Sequence, residues 1–368
     1  MRIVQVLETL HRGGLERMVL DTSQALRAAG HEVVIACLNE AGEVAEQARA
    51  AGIAVHAYRR NSTMAIATIA RMVSRFRWFA PDVVHSHNPR VHHFAAIAAH
   101  YSRTPCVIST RHSPLSSTGA RYDERWYRRV LPWTDRIVYV SEQARRFLTE
   151  ECGVPEAPSA VIHNGVDCER FRWVVARPAA RWPRLRLGAV GRLVPAKGHD
   201  ILIRAFAAVA GEVPEAELRI IGGGVLAEPL RALVAELRLE GRVSFEGERE
   251  DVAPLLGELD LAAFASRSEG LSLAVLEAMA AGLPIVAARA GGTPEVAPEG
   301  DVAWYCAPGD SGALAAALRD AMSRPEELQR RGAVARRLAF ERHGSDRVAA
   351  RYAALYREVV DDKRSHES

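Results

Sequence analysis

Short apolar runs alternate with longer amphipathic stretches along most of the chain, and this rhythm is played twice. In the first half residues 3–7, 32–38, 53–58, 83–87, 106–110, 136–140 and 160–163 are strand-like. Helical stretches separate most of them, notably residues 16–29 ending at Gly30, 63–79 and 141–151. Strands that are apolar at successive positions bury both of their faces, so strands joined by helical crossovers predict parallel sheets covered on both sides. The segment 171–184 breaks the pattern with Pro178, Pro183, Trp173, Trp182 and four arginines, and it reads as a linker. A second alternation follows, with strands at 185–190, 217–221, 243–246, 259–265 and 284–287 and helices at about 198–210 and 229–239. A helix over 345–361 closes the chain, and the tail 363–368 is expected to be disordered. The architecture expected from this pattern is α/β, with two Rossmann-like domains whose parallel sheets face a central cleft.

The bulk properties agree. At 368 residues the chain exceeds one comfortable core. A charged fraction of 25% and a mean hydropathy of −0.07 describe an ordinary globular protein. The net charge of +3 is too small to imply nucleic acid. It is uneven: residues 1–165 hold 20 Lys/Arg against 15 Asp/Glu, the remainder 28 against 30. Cys37, Cys106, Cys152, Cys168 and Cys306 are scattered, with neither metal spacing nor a disulfide framework, which suits reduced thiols in a cytoplasm. Residues 1–7 are strand-like rather than signal-like, and no apolar run reaches the ~18 residues of a spanning helix.

In parallel sheets ligands bind at the carboxyl ends of strands, so the loops there carry the functional reading. Gly13 and Gly14 follow the first strand and let backbone approach a ligand closely. Gly191, Arg192, Lys197 and Gly198 place two cations on the loop that follows residues 185–190, suited to neutralising a diphosphate. Gly222, Gly223 and Gly224 formally match a dinucleotide fingerprint, with Glu246 ending the next strand, which keeps an NAD(P)-dependent oxidoreductase open as a rival. A loop of small and polar residues, Ser266, Ser268, Gly270 and Ser272, surrounds Glu269. Beyond it Ser272 is a candidate N-cap, and Glu277 lies inside the helix that follows. A loop carboxylate, a helix start and an early-helix carboxylate thus suit an anion flanked by hydroxyls. His112 also follows a strand. His85, His87, His92 and His93 lack the spacing of a metal site.

Together these loops resemble the retaining glycosyltransferases of family 4, which have the GT-B fold. The resemblance spans nearly the whole chain. It is carried by Gly13-Gly14 with Leu15-Glu16-Arg17, His112, Asn164-Gly165-Val166-Asp167, Gly191-Arg192 with Lys197-Gly198, and the triple glycine. Glu269 and Glu277 with Ala278-Met279-Ala280-Ala281-Gly282-Leu283-Pro284, Gly291-Gly292-Thr293-Pro294-Glu295 and Pro308-Gly309-Asp310 complete it. Leu271-Ser272 stands where the family often has Phe or Leu followed by Gly or Pro.

The resemblance implies an acceptor-side domain over 1–172, a linker over 173–184, a nucleotide-sugar domain over 185–345, and a helix over 346–362 returning to the first domain. It implies that Arg192 and Lys197 hold the donor diphosphate, Glu277 the ribose and Glu269 the donor sugar. The main chain of Gly270, Leu271, Ser272 and Leu273 would meet the diphosphate or sugar, and the base would lie near Phe245 and Glu246. Gly13 and Gly14 would close over the phosphates, and His112 would bond the donor sugar. Transfer would retain anomeric configuration without metal or cofactor, the co-substrate being a UDP- or GDP-sugar. No Asp-x-Asp triplet is present to hold a cation.

The acceptor leaves a fainter mark. Between Glu46 and Asp82 there is no acidic residue, but Arg49, Arg59, Arg60, Arg71, Arg75 and Arg77 occur among Phe76, Trp78 and Phe79. A second basic and aromatic patch covers 121–133. Such surfaces suit an anionic leaflet and a sugar or lipid-linked acceptor in cell-envelope polysaccharide, lipopolysaccharide or glycolipid assembly. The alternative for the aromatic residues is packing on the sheet. The alternative for the whole chain is another GT-B nucleotide-sugar enzyme, an epimerase or a phosphorylase.

Overall fold

The computed structural model describes residues 1–60, 65–112, 120–154, 157–174 and 185–367. It contains two compact units, Met1–Gly165 with Ser345–Ser368, and Val166–Gly344. Most of the expected linker, 175–184, lies outside the described residues, as do the side chains of 120–123 in the second basic patch.

The first unit is built on a seven-stranded sheet. Its strands are β1 (Arg2–Leu7), β2 (Glu32–Cys37), β3 (Ala54–Ala57), β4 (Val83–His87), β5 (Cys106–Arg111), β6 (Arg136–Tyr139) and β7 (Ser159–Val161). They lie in the order β3-β2-β1-β4-β5-β6-β7, all parallel. The apolar runs are explained by cover on both faces. Ile3, Val83 and Ile108 pack with Val348, Tyr352 and Tyr356 of the closing helix. Their neighbours Val4, Val84 and Val107 point the other way, toward Met72, Phe76, Phe79 and Phe94. Each large apolar side chain so buried contributes about 1.5–3 kcal/mol, which makes the closing helix an integral layer of this unit.

That helix corrects one expectation. The tail was expected to be disordered, yet helix Ser345–Glu367 continues through it. Lys363 Nζ pairs with Asp135 Oδ1 at 2.7 Å, and the Ser365 hydroxyl donates to the carbonyls of Asp361 and Asp362. The stretch expected as one helix over 141–151 also changes character. It is α-helical over Glu142–Arg146 and then widens into a π-turn over Phe147–Glu151.

The second unit carries β8 (Arg186–Val190), β9 (Glu217–Ile221), β10 (Val243–Gly247), β11 (Leu261–Phe264), β12 (Ile285–Ala288) and β13 (Ala303–Cys306). The order is β10-β9-β8-β11-β12-β13, again parallel throughout. Leu187 and Ala189 of β8 pack with Ile203 and Phe206 of helix His199–Ala210 and with Leu314 and Leu318 of helix Ser311–Met322. The helix expected from Pro229 begins at Ala227 instead, because a proline in the first turn gives up an N–H that needs no partner there.

Strand order reverses beside β1 in the first sheet and beside β8 in the second. The loops after β1 and β4, and those after β8 and β11, therefore part to opposite sides and leave a crevice. All but Phe245, Glu246 and His112 of the expected site residues lie in or just beyond the loops after β1, β8 and β11.

Candidate active site

In the second unit four strand-end loops are laced together through the main chain. The N–H of Gly191 donates to the carbonyl of Ile221, and that of Leu193 to Gly223, which tie the loop after β8 to the loop after β9. Arg267 N–H donates to Ala196, joining the loops after β8 and β11, and Gly292 N–H donates to Gly270, joining those after β11 and β12. Backbone this close leaves no room for side chains. A Cβ on Gly222 (φ +144°) would lie 2.1 Å from the Gly191 carbonyl oxygen, and one on Gly291 (φ +58°) would lie 2.4 Å from that of Glu269. The triple glycine is thus accounted for by loop packing. It sits in the loop after β9, away from the switch point, so the dinucleotide reading loses its structural basis.

Upon this frame the charges are arrayed in pairs. Lys197 Nζ is hydrogen-bonded to Glu269 Oε1, and the Ser266 hydroxyl donates to the same oxygen at 2.8 Å. Both charged side chains are largely buried, at 20% and 12% exposure, so the pair is only weakly screened. Arg192, by contrast, is exposed and makes no ion pair among the described residues. Arg267 staples the two loops from outside. Its guanidinium grips the Asp200 carboxylate at 2.6 and 2.9 Å and donates to the Pro195 carbonyl at 2.8 Å. That contact holds the Asp200 carboxyl below its usual range.

Leu273–Ala280 is the helix that carries Glu277. Ser272 occupies the expected N-cap position with φ −74° and ψ 122°, although its hydroxyl makes no capping hydrogen bond. The first-turn amides are therefore not served by that side chain. Gly270, Leu271 and Ser272 are buried and Leu273 half-buried. Glu277 Oε1 lies 3.6 Å from Arg170, whose other nitrogen holds Asp251 at 2.7 Å. Glu269 and Glu277 thus answer to different cations. Phe245 and Glu246 end the edge strand β10; the Arg231 guanidinium covers the Phe245 ring at 4.8 Å, and Glu246 accepts from the Ser244 hydroxyl at 3.0 Å.

Two contributors went unnoticed in the sequence. The buried His199 imidazole lies against the main chain of Arg192 and Gly191, and burial pushes its pKa down to about 4. It is a neutral brace for the cation loop. Arg170 is the other, set in the short turn Cys168–Phe171 after the Asn164-Gly165-Val166-Asp167 motif. Asp167 caps that turn by accepting from Glu169 N–H, and this Asx signal could have revealed it.

In the first unit Gly13 is the extended N-cap of helix Gly14–Ala28, and Gly14 is exposed. His112 lies just past β5. Its Nε2 meets His87 Nδ1 at 2.9 Å, and His87 Nε2 meets Gln5 Oε1 at 2.9 Å. Burial lowers the His112 pKa to about 3, outweighing the opposite effect of the nearby Asn164. His85 spends both nitrogens on Tyr356 and Thr110, each at 2.7 Å, and His92 on Ser86 and Thr134. The histidine cluster is a hydrogen-bonded core. Of the basic and aromatic helix Ala65–Phe79, Phe76 and Phe79 are buried while Trp78 is 70% exposed beneath Arg75. No described helix is long and apolar enough to cross a membrane.

Known proteins share this organisation. The family model described as Glycosyltransferase Family 4 matches residues 12–170, and that described as Glycosyl transferases group 1 matches 184–324. Glycogen synthase of Mycobacterium tuberculosis is 30% identical over 94% of this chain and 91% of its own length. A GDP-mannose-dependent alpha-(1-6)-phosphatidylinositol monomannoside mannosyltransferase of Mycolicibacterium smegmatis is 30% identical over 62% of this chain and 63% of its own. Among solved structures, Anabaena Alr3699/HepE in complex with UDP superposes with a TM-score of 0.84 at 22% identity, over 96% of this chain and 99% of that one. The chain belongs to glycosyltransferase family 4, with the GT-B fold of two Rossmann-like domains.

Proposed function

We propose that this glycosyltransferase moves a sugar from a UDP- or GDP-sugar to an acceptor hydroxyl with retention and without a metal. The carrying observation is the convergence of Arg192, Lys197, Glu269 and the start of helix Leu273–Ala280 on loops from the adjacent strands β8 and β11. In this reading Arg192, Lys197 and the main chain of Gly270, Leu271, Ser272 and Leu273 take the diphosphate. Glu277 takes the ribose, Glu269 the donor sugar, and the base lies near Phe245 and Glu246. The C–O bond to the diphosphate breaks while the acceptor oxygen attacks from the same face. The departing phosphate takes the acceptor proton, and Arg192 and Lys197 stabilise the charge that grows on it. Two cations on the protein perform the neutralisation a metal would otherwise supply. Gly13, Gly14 and His112 of the first unit serve the phosphates and the donor sugar.

The stereochemistry is tested by following donor hydrolysis by proton NMR in EDTA. An α-linked donor should release the α-anomer first; β-anomer first, or loss of turnover in EDTA, overturns retention or metal independence respectively.

For the acceptor we favour a lipid-linked or glycan hydroxyl of the cell envelope, reached at the cytoplasmic leaflet. Support comes from the mycobacterial phosphatidylinositol mannoside relative and from Trp78, 70% exposed, and Ile66, 85% exposed, on the same basic helix. Flotation with anionic vesicles at low salt should carry the protein upward; no binding removes the leaflet from the proposal.

A further inference from the structure

A single polar chain runs through the core of the first unit and ends on His112. We propose that Gln5, His87 and Tyr356 are positioning residues that hold His112 in its neutral Nε2–H tautomer, so that Nδ1 is the ring's hydrogen-bond acceptor.

The direction of each hydrogen bond follows from its neighbour. Gln5 Oε1 lies 2.9 Å from His87 Nε2, and a carbonyl oxygen only accepts, so His87 carries its proton on Nε2. His87 Nδ1 is then a lone pair. It lies 2.9 Å from His112 Nε2, which must donate. With Oε1 on His87, the Gln5 amide N–H₂ is left to face the neighbouring Tyr356 hydroxyl. The Tyr356 hydroxyl, having accepted there, donates to His85 Nδ1 at 2.7 Å. His85 Nε2–H then donates to Thr110 Oγ1 at 2.7 Å, and Thr110 reaches the Tyr352 hydroxyl at 3.3 Å. The direction of the whole chain follows from the Gln5 amide orientation, with Oε1 on His87; turning that amide would reverse every bond and move the His112 proton to Nδ1.

Burial makes the arrangement strict. Gln5 is 1% exposed, His85 1%, His87 3% and Tyr356 0%. An imidazolium at His87 or His112 would place a charge beside His85, and the groups hydrogen-bonded to these rings include no carboxylate to balance it. His112 therefore acts as a neutral acceptor and not as a general acid. The closing helix thereby contributes to the site through Tyr356, although its sequence lies far from every strand-end motif. The consequence for catalysis rests on the reading that His112 meets the donor sugar; the tautomer itself does not.

The test is the long-range proton–nitrogen spectrum of the imidazoles in the full chain labelled with ¹⁵N-histidine, at pH 7.5. His112 is identified by the signals lost in His112→Asn. Wild type should show His112 unprotonated at Nδ1 and protonated at Nε2. Tyr356→Phe, which frees Gln5 to turn, and Gln5→Met, which removes the acceptor, should each move His112 toward a mixture of tautomers. A wild-type His112 carrying its proton on Nδ1, or on both nitrogens, overturns the proposal, and so do unchanged His112 signals in the variants. If Gln5→Met does not fold, Tyr356→Phe decides alone. Donor binding by His112→Ala measured separately tests the sugar contact, so the two claims fail independently.

Discussion

Lys197 and Glu269 form an ion pair that bridges the loops after β8 and β11, joining the cation expected to meet a diphosphate to the carboxylate expected to meet a sugar. The pair has a consequence for binding. In the proposed donor site an incoming diphosphate would compete with Glu269 for Lys197, and release of Glu269 would leave its oxygens for hydroxyl groups.

Changing one partner should therefore divide binding from turnover. Glu269→Gln removes the competing charge. It should leave affinity for UDP or GDP, whichever binds the wild type, equal or tighter, while lowering turnover by about 100-fold. Lys197→Ala should lower turnover by a similar factor, about 100-fold, through lost stabilisation of the leaving phosphate. Calorimetric titration with the nucleoside diphosphate and steady-state donor consumption check both. Weaker nucleotide binding in Glu269→Gln would show that the pair does not compete with the ligand.

Gly222→Ala should destabilise the second unit by more than about 2 kcal/mol, since a Cβ at φ +144° would meet the Gly191 carbonyl oxygen at 2.1 Å. Gly241→Ala, where nothing lies within 4 Å, supplies a comparison that has the left-handed φ of +82° without the clash. Urea denaturation of both variants measures the difference, and equal losses would mean that loop contact is irrelevant.

A buried ion pair anchors the helix Ala120–Val130 to β5. Arg111 Nη2 lies 3.0 Å from Glu124 Oε2, with side-chain exposures of 1% and 6%, and the Arg111 guanidinium sits 4.6 Å over the Tyr127 ring. Glu124→Ala leaves a desolvated cation and should cost about 3–5 kcal/mol in urea unfolding. A loss below 1 kcal/mol would show that solvent or Tyr127 satisfies the arginine.

Acid should weaken the first unit before the second. Burial lowers the pKa of His85, His87, His92 and His112 in the first unit, the latter two to about 3, whereas the second unit has His199 at about 4. A histidine depressed in the folded state leaves stability independent of pH while both states are neutral. Below its ordinary 6.5 the unfolded chain takes up the proton and the folded one does not. Each such group costs about 1.4 kcal/mol per pH unit in the window between its unfolded and folded values. Hydrogen exchange at pH 7.5 and 5.5, corrected for intrinsic rates, should show protection lost first in β1, β4 and β5. Earlier loss in β8 and β11 would contradict it.

The sheets were legible because parallel strands covered on both faces are apolar at successive positions, as Ile3 with Val4 and Val83 with Val84 illustrate. The strand Ala303–Cys306 escaped notice because it is short and carries Trp304 and Tyr305 with no period of its own. The motifs located the cation loop and the Glu269 turn, since their residue types announce charge and close backbone. The partners were not legible. Arg170 reaches Glu277 across more than a hundred positions, and Tyr356 reaches His85 across 271, and no local pattern encodes such contacts. The tail was misjudged because the pairing of Lys363 with Asp135 is likewise a tertiary fact.

Binding of a nucleotide sugar by the second unit is tested most directly by thermal shift and calorimetry against UDP-, GDP- and ADP-sugars, comparing wild type with Glu277→Ala. A ligand at 100 times its Kd stabilises the native state by about 2.7 kcal/mol, a shift readily measured. One nucleotide class should raise the Tm of the wild type, and Glu277→Ala should bind it at least about 10-fold more weakly through loss of charged hydrogen bonds to the ribose. No stabilisation by any of the three classes, or equal affinity in Glu277→Ala, would contradict the placement of the donor on these loops.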